Sequence, residues 1–511
     1  MAQRDGRHES RRLRRRVNCA SSPSIRRFTR HGPCRRFFTR VSNSHLAHSP
    51  RIVSYTHHFT STLASSSSRL FFAQPAQPPP DRTGSRQTES FASFSMLDDV
   101  LTPSDAGYDD VLRAHYDGFV VDDPGALPAS AHDDVRRAFQ TMLENGEFTH
   151  DVLQAGQKVS RTFVRRVLLG ERGCTYHYQR LRLFAQPWEG REAYDVVREL
   201  NERLKERTRR ALAAGRHEKS ECDYNVTLIN YMETVEESEV ALKDETMYGL
   251  GATSVSWHSD SSLRENSTVA VYHTYAAPKR RDWCVALRAL NVECPVLRVP
   301  LEDRATYYMC GDFNATHHHA VLTGSSARFS STHRVGVVAK DTWKYIKKRC
   351  IDALRLVPEL EGDRVLDAKK IQLLAEVHRE VEFQWIRMFH LQGEDHARLH
   401  ARYWKQRIDE LTEAWDRMEM CFRKILSKLK RSSSKTQPPR AYSMMLYAMT
   451  TVKELRDEHA KRCSASAYAQ VPPSCQPVDL PSYDDTSPLP FELKPVIAFI
   501  EEERDARHGS K

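Results

Sequence analysis

Three side chains that could bind a metal ion stand near the middle of the chain. His258 and Asp260 are separated by one residue, so on a β-strand they would point to the same side. The run 314–319 ends in three consecutive histidines. Two histidines and one carboxylate form the facial triad that binds Fe(II) in non-haem oxygenases and leaves coordination positions open. His317 and His319 share a strand face, so the spacing leaves both as candidates for the third ligand.

A second motif follows on the next predicted strand. Arg328 and Ser330 share one strand face, and a guanidinium beside a hydroxyl is suited to binding a carboxylate through two hydrogen bonds. In an Fe(II) oxygenase with a jelly-roll fold, that carboxylate would be the distal one of 2-oxoglutarate, whose keto-acid end chelates the iron. The order of these features along the chain therefore indicates an Fe(II)/2-oxoglutarate oxygenase.

The elements that must position these residues are short strands. Turn signals separate eight segments, which we predict to be strands: 224–232, 254–257, 268–275, 283–291, 296–301, 306–310, 320–323 and 330–338. Short strands at nearly regular spacing are typical of a β-sandwich, jelly roll or barrel. Upstream, we predict helices at 133–146 and 191–213 around an irregular segment, 161–188.

After Lys340 the pattern becomes helical, with predicted helices at 367–391, 404–429 and 442–462. In the second of these, apolar residues alternate in steps of four and three, which predicts one buried face: Trp404, Ile408, Leu411, Trp415, Met418, Phe422, Ile425 and Leu429. We interpret these residues as the core of a helical bundle rather than as a cofactor site. The predicted fold class is α+β, with a double-stranded β-helix (jelly-roll) dioxygenase domain and flanking helices over 96–340, and an all-α helical bundle domain over 341–511.

The basic charge of the chain is confined to its first 95 residues. The net charge is +10, whereas residues 1–95 hold 17 Arg, no Lys and four acidic residues, a net of +13, which leaves −3 for the remainder. This composition predicts a disordered tail. The tail could be a transit peptide, a nuclear localisation or RNA-contacting segment, or an extension from gene modelling. The folded part is therefore not a general polyanion binder.

Two further classes are excluded by composition. No apolar run reaches the roughly eighteen residues that a membrane span needs, so we expect no membrane association. Eleven cysteines are scattered without a C-x-x-C pair, which argues against a disulfide scaffold or a zinc ribbon and favours a reducing compartment.

Several blocks carry a resemblance to a known family: GCTY at 173–176, YNVTL at 224–228, VSWH at 255–258, NATH at 314–317, RFSSTHRV at 328–335, VEF at 381–383 and PLPF at 488–491. Together they resemble the FTO family of Fe(II)/2-oxoglutarate-dependent nucleobase demethylases, within the AlkB-like superfamily. The resemblance runs from about residue 135 to 495.

The resemblance implies a catalytic metal site in which iron is bound by His258, Asp260 and His319. It implies a 2-oxoglutarate site made of Asn225, Tyr307, Arg328, Ser330 and Arg334. It also implies that the methylated base is bound by Arg166, Tyr176, Tyr178 and Ser256. Stacking on aromatic rings and a donor for the base edge are physically suited to an extruded base.

Two positions depart from the family pattern at the substrate side. Ser261 stands where the family has a glutamate that helps to read the base, and Gln179 stands where it has an apolar residue. The loop 233–245 has six acidic residues and one lysine, a poor surface for duplex phosphates. In the family this loop disfavours double strands, so we expect a preference for single-stranded nucleic acid.

The function implied is oxidative demethylation of N6-methyladenosine in RNA, or of related bases in single-stranded RNA or DNA. It would use Fe(II), 2-oxoglutarate and O2, with ascorbate as reductant in assays, and release succinate, CO2 and formaldehyde. A dioxygenase acting on a protein side chain and a non-catalytic binding module stay open as alternatives. We expect the helical domain to contact and support the catalytic domain, and a nuclear location, or a plastid or mitochondrion if the tail is a transit peptide.

Overall fold

The computed structural model describes residues 100–155, 158–178, 180–213, 220–238, 240–276, 282–337, 339–362, 365–431, 437–478, 487–490 and 492–508. The predicted tail, 1–95, and Gln179 lie outside the described residues. In the described part, all strands lie between residues 100 and 334, and eight of the twelve α-helices follow residue 342. We call these two regions the strand-rich part and the helical part.

The strands are β1 (Val100–Leu101), β2 (Phe119–Asp122), β3 (Thr149–Ala155), β4 (Lys158–Gly170), β5 (Thr175–Tyr178), β6 (Leu181–Phe184), β7 (Gln186–Pro187), β8 (Val226–Met232), β9 (Lys243–Glu245), β10 (Gly251–His258), β11 (Val269–Tyr275), β12 (Cys284–Ala289), β13 (Val296–Pro300), β14 (Thr306–Met309), β15 (His317–Leu322) and β16 (Arg328–Arg334). One sheet has the order β1-β13-β12-β15-β10-β9, and the larger sheet has the order β2-β14-β11-β16-β8-β4-β3, with β7 beside β4. Strands β5 and β6 form a separate hairpin.

The two sheets face each other across one apolar core. Side chains from both sheets belong to the same buried cluster: Val271, Tyr307 and Met309 from the larger sheet, and Val285, Leu287, Leu297 and Val321 from the smaller one. On the outer face of the larger sheet lie α2 (Ala129–Glu144) and α3 (Glu192–Ala213), which share a second buried cluster with it. This arrangement is a jelly roll with flanking helices, and the predicted fold class is confirmed.

All eight predicted strands are present with shifted ends, but the prediction of an irregular segment at 161–188 was wrong. That segment contains β5, β6, β7 and most of β4. Strand β4 lies between β3 and β8, and Phe163, Val164, Val167 and Leu168 are all buried. Arginines at 161, 165 and 166 interrupt its apolar residues, so the strand shows neither a continuous apolar run nor a regular alternation.

The helical part contains α5 (Trp343–Leu354), α6 (Val357–Glu361), α7 (Ala368–Glu380), α8 (Arg387–His390), α9 (Gly393–His400), α10 (Gln406–Arg431), α11 (Pro439–Arg462) and α12 (Lys494–His508). The three predicted helices correspond to α7–α8, α10 and α11, with π-helical turns at Val381–Ile386 and Ala401–Lys405. All eight residues of the predicted apolar face are buried in one core cluster. Among the described helices, none is long and apolar enough to cross a membrane.

The hairpin β5–β6 packs directly against the helical part. Phe184 lies in the core cluster of the helices, and the Trp404 Nε1–H donates to the Ala185 carbonyl at 2.8 Å. The Arg182 guanidinium lies 4.0 Å from the ring centroid of Trp385 and donates from Nε to the Gln384 carbonyl at 2.6 Å. The helices therefore hold the hairpin that carries Tyr176 and Tyr178.

Candidate active site

The three predicted metal ligands come together between two neighbouring strands of the smaller sheet. His258 ends β10 and is directly opposite His319 of β15, and Asp260 follows β10 by two residues. One ligand atom from each of the three residues lies within 4.8 Å of the other two. The imidazole centroids of the two histidines are 4.2 Å apart. This donor set, two imidazoles and a carboxylate on one face, fits Fe(II).

Neighbouring groups orient the first two ligands. The His258 Nδ1 is 2.8 Å from the Ser256 carbonyl, so Nδ1–H donates and Nε2 keeps its lone pair for a metal. The backbone of Asp260 is held on both sides by Asn314, whose Oδ1 accepts from the Asp260 N–H at 2.8 Å and whose Nδ2 donates to the Asp260 carbonyl at 2.9 Å.

The carboxylate of Asp260 is paired with Arg334. Nε and Nη2 of the guanidinium donate to Oδ2 and Oδ1 at 2.9 and 2.8 Å. Burial raises the pKa of Asp260, but Arg334 and the two histidines outweigh burial and hold that pKa well below its usual range. Burial lowers the pKa of His319 to about 3. Both side chains are therefore in the protonation state that binds a metal ion.

The structure distinguishes His317 from His319, which the spacing left as two candidates for the third metal ligand. His317 is turned away from Asp260, and its Nε2 lies 2.9 Å from the His115 carbonyl. Its ring stacks on Phe313 at 4.1 Å between centroids. His319, and not His317, is therefore grouped with the other two ligands.

Arg328 is the strongest indication of an anion site. Its side chain is only 1% exposed, and among the described residues its Nε and Nη1 have no hydrogen-bond partner. The guanidinium lies 5.1 Å from the ring centroid of Trp283, and burial lowers its pKa to about 10. A buried cation with unused donors is costly unless an anion binds it. The residue therefore fits the distal carboxylate of 2-oxoglutarate.

Of the other predicted 2-oxoglutarate residues, Ser330 shares β16 with Arg328, and Asn225 lies at the Arg334 end of that strand. Ser330 and Tyr307 are buried on β16 and β14, with β11 between these strands. Burial raises the pKa of the Tyr307 hydroxyl to about 12, so it is a donor. The Asn225 side chain is held by Gly336, whose N–H donates to Asn225 Oδ1 at 2.8 Å. Arg334 pairs with Asp260, a role that reasoning from the sequence missed.

A cavity of about 830 Å³ opens beside the metal ligands. His258 and Asp260 line it together with Arg166, Tyr178 and Ser256. Residues 240–243 line its other side, so the acidic loop 233–245 contributes a wall. Three of the four predicted base-binding residues therefore border the space next to the metal ligands.

Ser261 also lines this cavity, whereas Tyr176 does not. Tyr176 is buried, and the Arg334 guanidinium lies 5.2 Å from its ring centroid. The Ser261 Oγ–H donates to the His177 carbonyl at 2.9 Å, so the position where the family has a glutamate offers no carboxylate to a base. The other position that departs from the family pattern, Gln179, lies outside the described residues.

Two partners of the site were missed by sequence reasoning. Asn314 was part of a recognised block, yet its contact with the backbone of Asp260 depends on the turn that precedes β15. Asp151, which pairs with Arg166, lies in β3 next to a register shift. No periodicity signals either contact, because neither follows from alternation along one strand.

Comparisons with known proteins agree with this geometry. The family model of the FTO catalytic domain matches residues 106–337, and that of the FTO C-terminal domain matches residues 341–502. The alpha-ketoglutarate-dependent dioxygenase FTO of Xenopus laevis is 29% identical over 464 residues, which cover 78% of this chain and 92% of that protein.

Solved structures of 2-oxoglutarate oxygenases also match, at lower similarity. A 2OG-Fe(II) oxygenase family oxidoreductase from Burkholderia pseudomallei is 15% identical, with a TM-score of 0.27, and covers 48% of this chain and 91% of that one. A prolyl hydroxylase from Trichoplax adhaerens, in complex with a hypoxia inducible factor peptide, is 12% identical, with a TM-score of 0.29, and covers 44% of this chain and 86% of that one. From the two family matches, which together span most of the described residues, the chain belongs to the FTO family of alpha-ketoglutarate-dependent dioxygenases.

Proposed function

We propose that the enzyme removes methyl groups from N-methylated nucleobases, above all N6-methyladenosine in RNA and related bases in single-stranded RNA or DNA. The observation that carries this proposal is the cavity of about 830 Å³, in which Arg166 and Tyr178 lie across from His258 and Asp260. A flat aromatic ring and a fixed guanidinium are the groups that an extruded base requires for stacking and for recognition of its edge.

His258, Asp260 and His319 would hold Fe(II), and Arg328 with Ser330 and Tyr307 would hold 2-oxoglutarate. When bound, iron and 2-oxoglutarate supply the oxidising chemistry, with O2, that hydroxylates the N-methyl group while 2-oxoglutarate is converted to succinate and CO2. The hydroxymethyl amine then breaks down and releases formaldehyde. Ascorbate would serve as reductant in assays.

The chain's own residues prepare the site for this chemistry. Arg334 keeps Asp260 ionised through two hydrogen bonds, and Asn314 fixes its backbone. The Arg166 guanidinium lies over the Tyr178 ring, 4.4 Å from its centroid. The two groups therefore form one continuous part of the cavity wall. An arginine has only donors, so it would bind acceptor atoms on the base edge.

A single-stranded substrate is supported by the loop that borders the cavity. The loop 233–245 carries six acidic residues and one lysine. Its residues 240–243, none of them acidic, line the cavity wall, so the acidic residues lie on either side of this lining segment in sequence. Acidic side chains repel the closely spaced phosphates of a duplex. A base in a flexible single strand can enter the cavity at lower cost, because it does not have to be unpaired.

The location of the enzyme in the cell is part of the proposal. The family resemblance favours the nucleus, and the arginine-rich segment 11–16 is of the kind that serves nuclear localisation. If the first 95 residues act as a transit peptide, the enzyme would instead reach a plastid or mitochondrion. Fluorescent fusions with and without residues 1–95 would distinguish the two.

The test is mass spectrometry of a single-stranded RNA oligonucleotide carrying one N6-methyladenine, incubated with enzyme, Fe(II), 2-oxoglutarate and ascorbate. We expect loss of the methyl group with the wild type and none with Asp260→Ala. Succinate formation without loss of any methyl group, across N6-methyladenine and other N-methyl bases, would overturn the nucleobase proposal and direct the search to protein side chains.

A further inference from the structure

A buried ion pair stands directly behind the wall of the substrate cavity. Asp151 Oδ2 lies 2.9 Å from Arg166 Nε, and the two side chains are 6% and 7% exposed. The contact is ionic and lacks hydrogen-bond geometry, since neither atom has a hydrogen-bond partner among the described residues. The central carbon of the same guanidinium lies over the Tyr178 ring, 4.4 Å from the ring centroid. Arg166 is thus held between a carboxylate on its Nε side and an aromatic ring under its plane.

The backbone is irregular at the position that delivers this carboxylate. Thr149 and His150 of β3 pair with Arg166 and Arg165 of β4, but the next pair is Val152 with Arg161. Strand β4 therefore has two more residues than β3 across this step. The Asp151 N–H donates to Thr162 Oγ1 at 3.0 Å instead of continuing the ladder. Such bulges redirect side chains, and here the bulge lies beside the Asp151–Arg166 pair.

Arg166 also separates two spaces. It lines the large cavity that contains the metal ligands and a small cavity of about 40 Å³ on its other side, where Asp151 and Glu147 lie together with His396 of the helical part. A long side chain between two open spaces has several accessible rotamers unless a partner holds it. Asp151 is the ionic partner that holds it toward Tyr178.

We propose that Asp151 is a positioning residue that fixes the Arg166 guanidinium for recognition of the methylated base. This inference rests on the proposed function and deepens it. Removing the charge of Asp151 would take away the ionic partner of Arg166, so that its guanidinium is no longer fixed and its donors no longer meet the base edge. Asp151 acts through Arg166 and does not itself contact the base.

A double-mutant cycle tests this role, because two residues that act as one unit are not additive. We expect Asp151→Asn to lower kcat/KM for the methylated single-stranded oligonucleotide by about tenfold, mainly through KM, since one charge-assisted contact is lost. In an Arg166→Ala background the same substitution should change kcat/KM by less than about twofold. A further tenfold loss in that background would overturn the inference.

Two variants guard against a merely structural effect. Glu147→Gln alters a carboxylate that lines the same small cavity but pairs with Arg191 and Tyr194, so its KM for the oligonucleotide should equal that of the wild type. Asp151→Glu keeps the charge, and the small cavity has room for one more methylene group. This variant should therefore recover most of the kcat/KM that Asp151→Asn loses.

If Asp151→Asn does not fold, Asp151→Glu and Asp151→Ser are compared in the same cycle. Equal effects of Asp151→Asn and Glu147→Gln on KM would overturn the role of Asp151, whereas a wild type that demethylates no oligonucleotide would overturn the proposed function instead.

Discussion

Two groups of histidine and carboxylate side chains have almost the same geometry but different chemistry. The first is the catalytic cluster, His258, Asp260 and His319, in the strand-rich part. The second is the helical cluster, His378, Glu382 and Glu419, in the helical part, and its ligand atoms also lie within 4.8 Å of one another. Distance alone would assign a metal ion to both.

Both carboxylates of the helical cluster are already paired with arginines of the protein. Glu382 accepts from Arg387 Nε at 3.0 Å and from Trp415 Nε1 at 3.1 Å. Glu419 Oε1 accepts from Arg456 Nη2 at 2.8 Å and lies 3.1 Å from His378 Nε2. The negative charges of Glu382 and Glu419 are thus balanced by the positive charges of Arg387 and Arg456. The side chains of His378, Glu382 and Glu419 are 0% exposed.

The catalytic cluster differs in charge and in access. It has one carboxylate and two imidazoles, and His258 is 27% exposed and faces the large cavity. The imidazole nitrogens are lone-pair donors that no arginine competes for. The comparison shows that an open approach and a second imidazole distinguish the cluster that can bind a metal ion, and that proximity of ligand atoms does not.

Changing His319 should remove metal binding and with it most of the activity. His319→Gln should bind one Mn(II) fewer per chain than the wild type and lose more than about 100-fold in activity, because a direct ligand matters more than the groups that orient it. His378→Gln should keep the wild-type Mn(II) stoichiometry. Equilibrium dialysis with Mn(II) measures both variants. Loss of Mn(II) from His378→Gln, or its retention in His319→Gln, would reverse our assignment of the two clusters.

His317→Gln tests whether His319, and not His317, is the metal ligand on strand β15. His317 contacts the His115 carbonyl and Phe313, so the variant should bind Mn(II) as the wild type does and keep its activity within about twofold, with a stability loss of about 1 kcal/mol. An inactive His317→Gln that still melts near the wild-type temperature would show that our grouping of the ligands is wrong.

The buried arginines of the two regions should also respond differently. Arg328 has unused donors, whereas Arg387 donates to Glu382. Arg328→Met should raise KM for 2-oxoglutarate about 1,000-fold, because two charge-assisted hydrogen bonds are lost. Arg387→Met should leave that KM unchanged. Succinate formation at increasing 2-oxoglutarate measures both, and an unchanged KM in Arg328→Met would mean that the cosubstrate carboxylate binds elsewhere.

The helical cluster should be important for stability. Glu419→Gln removes the charged partner of Arg456, and breaking a buried pair from one side should cost about 3 kcal/mol. Glu410→Gln on the same helix breaks an exposed pair with Lys347 and should cost less than about 1 kcal/mol. Urea unfolding gives both values. Similar losses for the two variants would show that the buried network adds no more stability than a surface pair.

These two clusters also mark how far the sequence could predict the structure. The apolar face of α10 was predictable because residues three and four apart lie on one side of a helix. His258 and Asp260 were expected on one side of a strand, and they do meet, although the strand ends at His258 and Asp260 lies in the segment after it. The helical cluster joins α7, α10 and the π-helical turn between α7 and α8. Its contacts depend on how separate helices pack, which no local period encodes.

The same limit explains what was missed near the substrate cavity. Asp151 meets Arg166 across a register shift, and a shift of register changes which side chains face each other without any signal in the alternation. His317 and His319 share a strand face in the regular pattern, yet the helical turn Phe313–Thr316 before β15 draws His317 onto Phe313. Local periodicity predicts which residues are available, and the packing of distant elements decides which of them meet.

A pH-dependent effect on stability is expected from His333, a buried histidine of the strand-rich part that is not one of the three proposed metal ligands. His333 lies 2.8 Å from Asn201 Oδ1 and 3.0 Å from Ser331 Oγ, and burial lowers its pKa to about 3. In the unfolded chain a histidine titrates near 6.5. Between these two values the unfolded chain holds a proton that the folded enzyme does not, so His333 makes the enzyme less stable as the pH falls below about 6.5.

Urea unfolding at pH 7.5 and pH 5.0 would isolate this contribution. The free energy of unfolding should fall between the two pH values by about 2 kcal/mol more in the wild type than in His333→Gln, because the variant has no imidazole to protonate on unfolding. His333→Gln should be less stable at pH 7.5, where the hydrogen bonds of the imidazole are lost, and the difference from the wild type should narrow at pH 5.0. An equal fall in both proteins would mean that His333 is protonated in the folded enzyme. In that case burial would not keep a histidine of the larger sheet neutral, and the neutral state that we assign to His319 from the same cause would have to be measured directly.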